Sequence, residues 1–325
     1  MENTNNKYYL IIIILLAFIL VYLTMMTIKE EKEIGPENTT SIIINDGKQI
    51  TNDEYEYKED LLHLGYSITE VEKIEKLFTK DEVKNSLLNE KYKNLIGFKE
   101  SEYFDIDNLS RYQKYFDKNE YNEKEAVLYV EIGLDYEFYT NTNPSKVEDG
   151  KLILVNKYNY ISENYDADLE KLGDGYGKGS LNKEAAGYFR QMVDAAKEDG
   201  ITLKSVSAYR SYSSQKDIYN NYVKRDGQTK ADTYSARPGH SEHNTGLAVD
   251  INTASTSKHF ENSKEYEWLI NNSYKYGFIL RYPEDKMFIT GYKFEPWHYR
   301  YFGIETATKL HEMNVTYEEY LVMTR

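Results

Sequence analysis

The chain contains no cysteine. Thiolate metal sites, thiol nucleophiles and disulfide bridges are thereby excluded, so any metal has to be held by His, Asp or Glu. Histidine is scarce as well, with six in 325 residues, and each can be considered on its own. Positive charge is in deficit: 40 Lys and Arg stand against 54 Asp and Glu, a net charge of −14. That argues against general affinity for nucleic acid phosphates and gives no support for a basic surface patch on anionic lipid. What is abundant is tyrosine, at 33 residues, read as packing rather than chemistry at most positions. The length allows one main domain with smaller parts.

Charge is absent altogether from Tyr8 to Ile28, YYLIIIILLAFILVYLTMMTI. A helix of about 20 apolar residues crosses a hydrocarbon core of about 30 Å. No Ala-x-Ala cleavage signal follows, so an uncleaved single-pass anchor is expected rather than a signal peptide. The flanking charges orient it weakly. The expectation is a cytoplasmic tip, a cell-membrane location and an extracellular remainder. Residues 29–60, with Gly35-Pro36 and Asn/Thr clusters, read as a polar spacer.

Helical periodicity follows. Ser67 and Glu70 have capping-box spacing, and Ile68, Val71, Ile74, Leu77 and Phe78 recur on one face. A charged helix is expected over 81–93 and a strand over the Val-, Ile- and Tyr-rich stretch 126–139. Residues 61–144 are therefore expected to form a small, mostly helical module, with the main domain at 145–325. In that domain the spacing predicts a helix from Asn182 to Asp199, stopped at Gly200. A strand is expected in ITLKSVSAY and a helix from Ser213 to Lys224. Short strands are expected at 247–252, 277–281, 286–290 and 294–299, and helices at 263–276, 303–314 and 316–323. No βαβ rhythm appears, which predicts an α+β fold with a small antiparallel sheet flanked by helices.

Chemistry concentrates in SARPGHSEHNTGLAVDI, residues 235–251. His243 and Asp250 stand seven apart around Gly246, a gap that suits a tight turn feeding a short buried strand. FEPWHYR, residues 294–300, offers His298 with Glu295 three residues before it. Alone, each signal is weak: a His–Asp pair is more often a structural hydrogen bond, and Glu-x-x-His recurs by chance. Together they supply two imidazoles and a carboxylate for zinc, plus a free carboxylate to act as base toward metal-bound water.

SEHNTGLAVD resembles the Ser-x-His-x-x-Gly-x-Ala-x-Asp signature of the zinc D-alanyl-D-alanine carboxypeptidases of the VanY type. EPWHYR resembles that family's Glu-x-Trp-His element, and SAYRSYSSQ, residues 207–215, its upstream substrate segment. The likeness runs over about 150–325 and takes in VNKYNYI and GFILRYP. It implies one zinc ion held by His243, Asp250 and His298, with Glu295 as general base and then acid. It implies Arg210 at the scissile carbonyl or the terminal carboxylate, Gln215 and Ser241 as substrate-binding residues, and Trp297 as a wall of the pocket. Departures are small: Asn244 stands where Gln is common, and Glu284-Asp285 make one loop acidic. His240 is expected in a loop role, His259 exposed, His311 packing and His63 in the helical module. Arg281 and Arg300 are expected to be salt-bridged supports.

The implied partner is the peptidoglycan stem peptide, and the implied reaction is hydrolytic release of its terminal D-alanine. A D,D activity on pentapeptides is the leading expectation. L,D activity on tetrapeptides and an endopeptidase cutting cross-links are the enzymatic alternatives. A wall-binding module that keeps zinc without catalysis is the alternative from another class; the presence of both Glu295 and Arg210 argues against it.

Overall fold

Short polar residues set the helix boundaries in the first half of the computed structural model, which describes residues 56–253 and 257–325. The expected anchor at Tyr8–Ile28 lies outside the described residues. Among the described residues no helix is long and apolar enough to cross a membrane. Residues Glu56–Arg325 make one compact unit.

Helix α1 (Glu56–His63) begins inside the stretch read as spacer. Helix α2 (Ile68–Leu77) opens on the expected capping box: Ser67 Oγ accepts from Glu70 N, and Glu70 returns to Ser67 N. The helix expected over 81–93 is shorter. A single turn at Lys80–Glu82 widens into a π-helical turn at Val83–Leu87. Helices α3 (Leu95–Lys99), α4 (Leu109–Phe116) and α5 (Glu123–Ile132) complete this helical first half. Together these elements bury a cluster that includes Leu61, Ile74, Phe98, Tyr112 and Val127.

Helix α5 overturns the strand expected over 126–139. Val, Ile and Tyr favour strands where they pack on a pleated face. Here a reciprocal Asn122–Glu125 cap starts a helix, and Gly133 at φ 98° stops it. Ala126, Val127 and Val130 then share one buried helical face. Local caps and burial together outweigh the propensity of the central residues.

The second half is a mixed α+β domain with a four-stranded antiparallel sheet. Its strands are β1 (Lys204–Ser207), β2 (Ala248–Asn252), β3 (Phe278–Leu280) and β4 (His298–Tyr301), in spatial order β1-β2-β4-β3. The expected strand at 286–290 is instead a helical turn, Met287–Thr290, closed by Gly291 at φ 75°. That glycine presses on Lys157, leaving no room for a Cβ. The strand expected at 294–299 starts only at His298. Two further small pairs exist: Asn143–Pro144 runs parallel to Asn159–Tyr160, and Leu169–Lys171 antiparallel to Ser180–Asn182.

Alternation along the strands divides the sheet into two faces. Val249, Ile251, Tyr299 and Tyr301 enter the core with Phe189 and Met192 of helix α6 (Lys183–Glu198). Full burial of such side chains stabilises the fold by about 1.5–3 kcal/mol each. Asp250, His298 and Arg300 occupy the alternate positions; Asp250 and His298 line the functional cleft, and Arg300 is buried behind it against Glu242. Helices α7 (Tyr212–Asp226), α8 (Lys264–Asn272), α9 (Ile304–Met313) and α10 (Tyr317–Met323) surround this half. Helix α10 packs on α5, and Arg325 pairs with Glu131 at 2.6 Å.

Candidate metal centre and catalytic cleft

His243 rides on a 3-10 turn, Glu242–Thr245, that ends at Gly246. At φ 71°, and with Leu169 Cδ2 and Asn182 N at 2.8 and 3.0 Å from any added Cβ, this position admits only glycine without strain. The turn delivers the chain directly into β2, seven residues from His243 to Asp250. Register does the rest: Asp250 is the direct partner of His298 across β2 and β4.

Hydrogen bonds select one nitrogen of each imidazole. His243 Nδ1 donates to the Ala208 carbonyl at 2.7 Å, leaving Nε2 free. His298 Nε2 donates to Glu242 Oε2 at 3.2 Å, leaving Nδ1 free. Both free nitrogens lie 3.3 Å from Asp250 Oδ1. His243 Nε2 and Asp250 Oδ1 are buried and have no hydrogen-bond partner. Lone pairs gathered out of water in this way are costly unless a cation joins them. His243, Asp250 and His298 are the metal-holding group found among the described residues. Two nitrogens and one carboxylate oxygen suit zinc, with a fourth position left for water or substrate.

The electrostatics agree. Burial, with Arg210 nearby, pushes His243 down to about 4, so the ring is neutral and able to ligate. Burial also disfavours a charged His298, but Asp250 and Glu242 outweigh it and lift this histidine to about 9. A cation bound at Nδ1 replaces the proton that these carboxylates attract. Glu295 Oε2 lies 3.6 Å from His298 Nδ1. Burial pushes the Glu295 carboxyl up to about 7, against the opposing pull of His298.

These groups line one cleft of about 550 Å³, with Arg210, Gln215, Ser241 and Trp297 also on its walls. Arg210 donates to Gln215 Oε1 at 2.9 Å and to Asp250 Oδ2 at 3.4 Å, while its Nε is buried without a partner. Gln215 is fully buried and donates to the Ala236 carbonyl at 2.8 Å, so both ends of its amide are used within the protein. Asn244 donates to the Arg210 carbonyl at 2.6 Å. Of the lining residues, Ser241 is buried and Trp297 stays 38 % exposed.

The sequence reading missed Glu242. Its carboxylate is fully buried, accepting from Arg281 Nε at 2.8 Å and Arg300 at 3.2 Å. Burial alone would raise its titration point, but the two guanidiniums and His298 hold it well below the usual carboxylate range. Arg281 also grips Glu318 of α10 with two bonds of 2.7 and 2.9 Å. A charge inside an otherwise buried motif, between Ser241 and His243, was the available signal. The other histidines stay outside the cluster. His240 bonds the Asn156 carbonyl at 2.8 Å between Tyr139 and Tyr160. His311 stacks on Tyr274, and His259 and His63 are exposed.

The family model described as VanY, D-alanyl-D-alanine carboxypeptidase, matches residues 178–304, which contain every proposed ligand and the proposed base. A D-alanyl-D-alanine carboxypeptidase of Enterococcus faecalis (strain ATCC 700802 / V583) is 41% identical over 183 residues, 54% of this chain. The chain spans 66% of that enzyme's length, just under two thirds. YodJ of Bacillus subtilis (strain 168) is 41% identical over 196 residues, covering 56% of this chain and 69% of that protein. Among solved structures, the LdcB LD-carboxypeptidase aligns with a TM-score of 0.52 at 38% identity, over 57% of this chain and 92% of that one.

Proposed function

Given that this chain belongs to the VanY D-alanyl-D-alanine carboxypeptidase family of zinc-dependent peptidoglycan carboxypeptidases, we propose that it removes the terminal D-alanine from pentapeptide stems. The observation that carries this reading is the buried His243–Asp250–His298 cluster, open to a cleft that also holds Glu295 and Arg210.

Nε2 of His243, Oδ1 of Asp250 and Nδ1 of His298 would hold the zinc ion. When bound, zinc supplies Lewis acidity and a water acidified to a pKa of about 7. Glu295 takes the proton of the attacking water and returns it to the departing amine. Arg210, whose guanidinium lines the cleft, faces an anionic substrate oxygen, either the developing oxyanion or the terminal carboxylate. Gln215 steadies that guanidinium. Ser241 bounds the substrate's C-terminal end and Trp297 the side wall.

The L,D reaction on tetrapeptides is the second reading, favoured by the likeness to LdcB. We further infer that Tyr8–Ile28 anchors the chain in the cell membrane, with residues 145–325 outside as the catalytic domain. Residues 61–144 then act as a packing spacer. The uncharged length of the apolar run supports the anchor.

Mass spectrometry of stem peptides incubated with the full chain, with and without a zinc chelator, tests the assignment. Chelator-sensitive loss of one D-alanine from the pentapeptide supports D,D activity. Cleavage of the tetrapeptide alone moves the assignment to L,D. Loss of neither, from a zinc-loaded protein, overturns both.

A further inference from the structure

Glu242 is poised to do more than balance two arginines. Its two oxygens face different ways. Oε1 receives Arg281 Nε at 2.8 Å and an Arg300 nitrogen at 3.2 Å. Oε2 faces His298 Nε2 at 3.2 Å. An ionised carboxylate is an acceptor only. Whatever lies opposite Oε2 must therefore donate, and His298 must carry its proton on Nε2.

We propose that Glu242 is a positioning residue for the metal centre: its Oε2 fixes the tautomer and ring angle of His298 so that Nδ1 faces Asp250 and His243. The inference rests on the reading of those three residues as the zinc site. Oε1 explains why the carboxylate does not swing away. Arg281 is itself clamped by Glu318 of α10, and Arg300 by the carbonyls of Lys151 and Ile153, each at 3.0 Å. The support behind His298 therefore reaches the C-terminal helix. A carboxylate behind a ligating imidazole also raises its basicity, and loss of such a partner typically costs about 10–100-fold in metal affinity.

Glu242→Gln is the discriminating substitution. The amide keeps the shape but can turn its NH2 toward His298. Nε2 would then accept, the ring proton would move to Nδ1, and the ligand atom would be blocked. The charge that offsets Arg281 and Arg300 beside a divalent cation is lost as well.

Three measurements on the full chain test this. Zinc competition against a chromogenic chelator should show affinity falling about 10–100-fold in Glu242→Gln, with the metal-free thermal melt still cooperative. Turnover should fall in kcat with KM little changed. Nitrogen-15 histidine spectra of the zinc-loaded wild type should show His298 protonated at Nε2 and His243 protonated at Nδ1. Unchanged zinc affinity in a folded Glu242→Gln overturns the proposal. So does a wild-type His298 protonated at Nδ1, a result that stands even if the variant fails to fold. A wild type that binds no zinc sinks the zinc reading and this inference with it, and is told apart by the wild-type titration alone.

Discussion

Asp250 and His298 are direct partners across two antiparallel strands, and Asp250 Oδ1 lies 3.3 Å from His298 Nδ1. Two proposed ligands 48 positions apart in sequence are thus set by backbone register, on the two central strands of a four-stranded sheet. Replacing Asp250 by Asn keeps the shape and removes the anionic oxygen. Elemental analysis of the purified variant should show zinc lost or greatly reduced, and turnover should vanish with it. A zinc-replete Asp250→Asn would remove Asp250 from the ligand set.

Glu295 sits beside the ligands, 3.6 Å from His298 Nδ1. Glu295→Gln should keep zinc and lower kcat by about 10²–10⁴-fold, the usual contribution of a positioned acid–base group. Full activity in that variant would show that another group moves the proton.

Arg210 presents a planar fork between Gln215 and Asp250. Lysine keeps the charge and loses the fork. Arg210→Lys should cost about 10²–10³-fold in kcat/KM, with zinc content unchanged. Steady-state kinetics on the pentapeptide would read it.

Removing zinc should lower stability as well as activity, because a bound ion stabilises the folded state by about 4 kcal/mol at a thousand times its Kd. A thermal melt before and after dialysis against chelator measures the shift. An unchanged melting temperature would mean that the folded protein had held no zinc to lose.

Lys157 gives a pH dependence from a group outside the proposed ligand set. It is buried, donates to the Asp232 carbonyl and lies over the ring of Tyr292 at 4.2 Å. Burial pushes it down to about 8, with Asp232 pulling the other way. Its folded value is therefore below the value of about 10.4 for a free lysine. Between these values the unfolded chain binds more protons, so stability rises with pH from about 8 to about 10.4 and is lost as pH falls through 8. Urea melts of wild type and Lys157→Met over pH 7–10 should show the wild type gaining relative to the variant. A constant difference would contradict the depressed value.

Helix ends and ligand types were legible because they are local. Ser67 and Glu70 cap α2 within one turn. Ala185, Ala186, Phe189, Met192, Val193 and Ala196 recur at helical spacing along α6, and all six are buried. The misread strand at 126–139 carried its correction in Asn122, Glu125 and Gly133, whose caps lie outside the apolar run that drew attention. Residues 286–290 misled because five residues are too few for periodicity to separate a strand from a turn.

The sequence by itself determined which atoms could bind a metal. Without cysteine, with six histidines, and with His243, Asp250, Glu295 and His298 in two short motifs, the choice of donors was narrow. Only the tertiary structure decided which nitrogen of each imidazole faces the centre. That depends on the Ala208 carbonyl and on Glu242, partners 35 and 56 residues away from the histidines they orient. It also decided that Gln215 spends its amide on Arg210 and Ala236. Spacing along a chain constrains a turn or a cap, where neighbours are fixed by covalent geometry. The direction of a buried hydrogen bond is fixed by whichever distant group the fold brings opposite it.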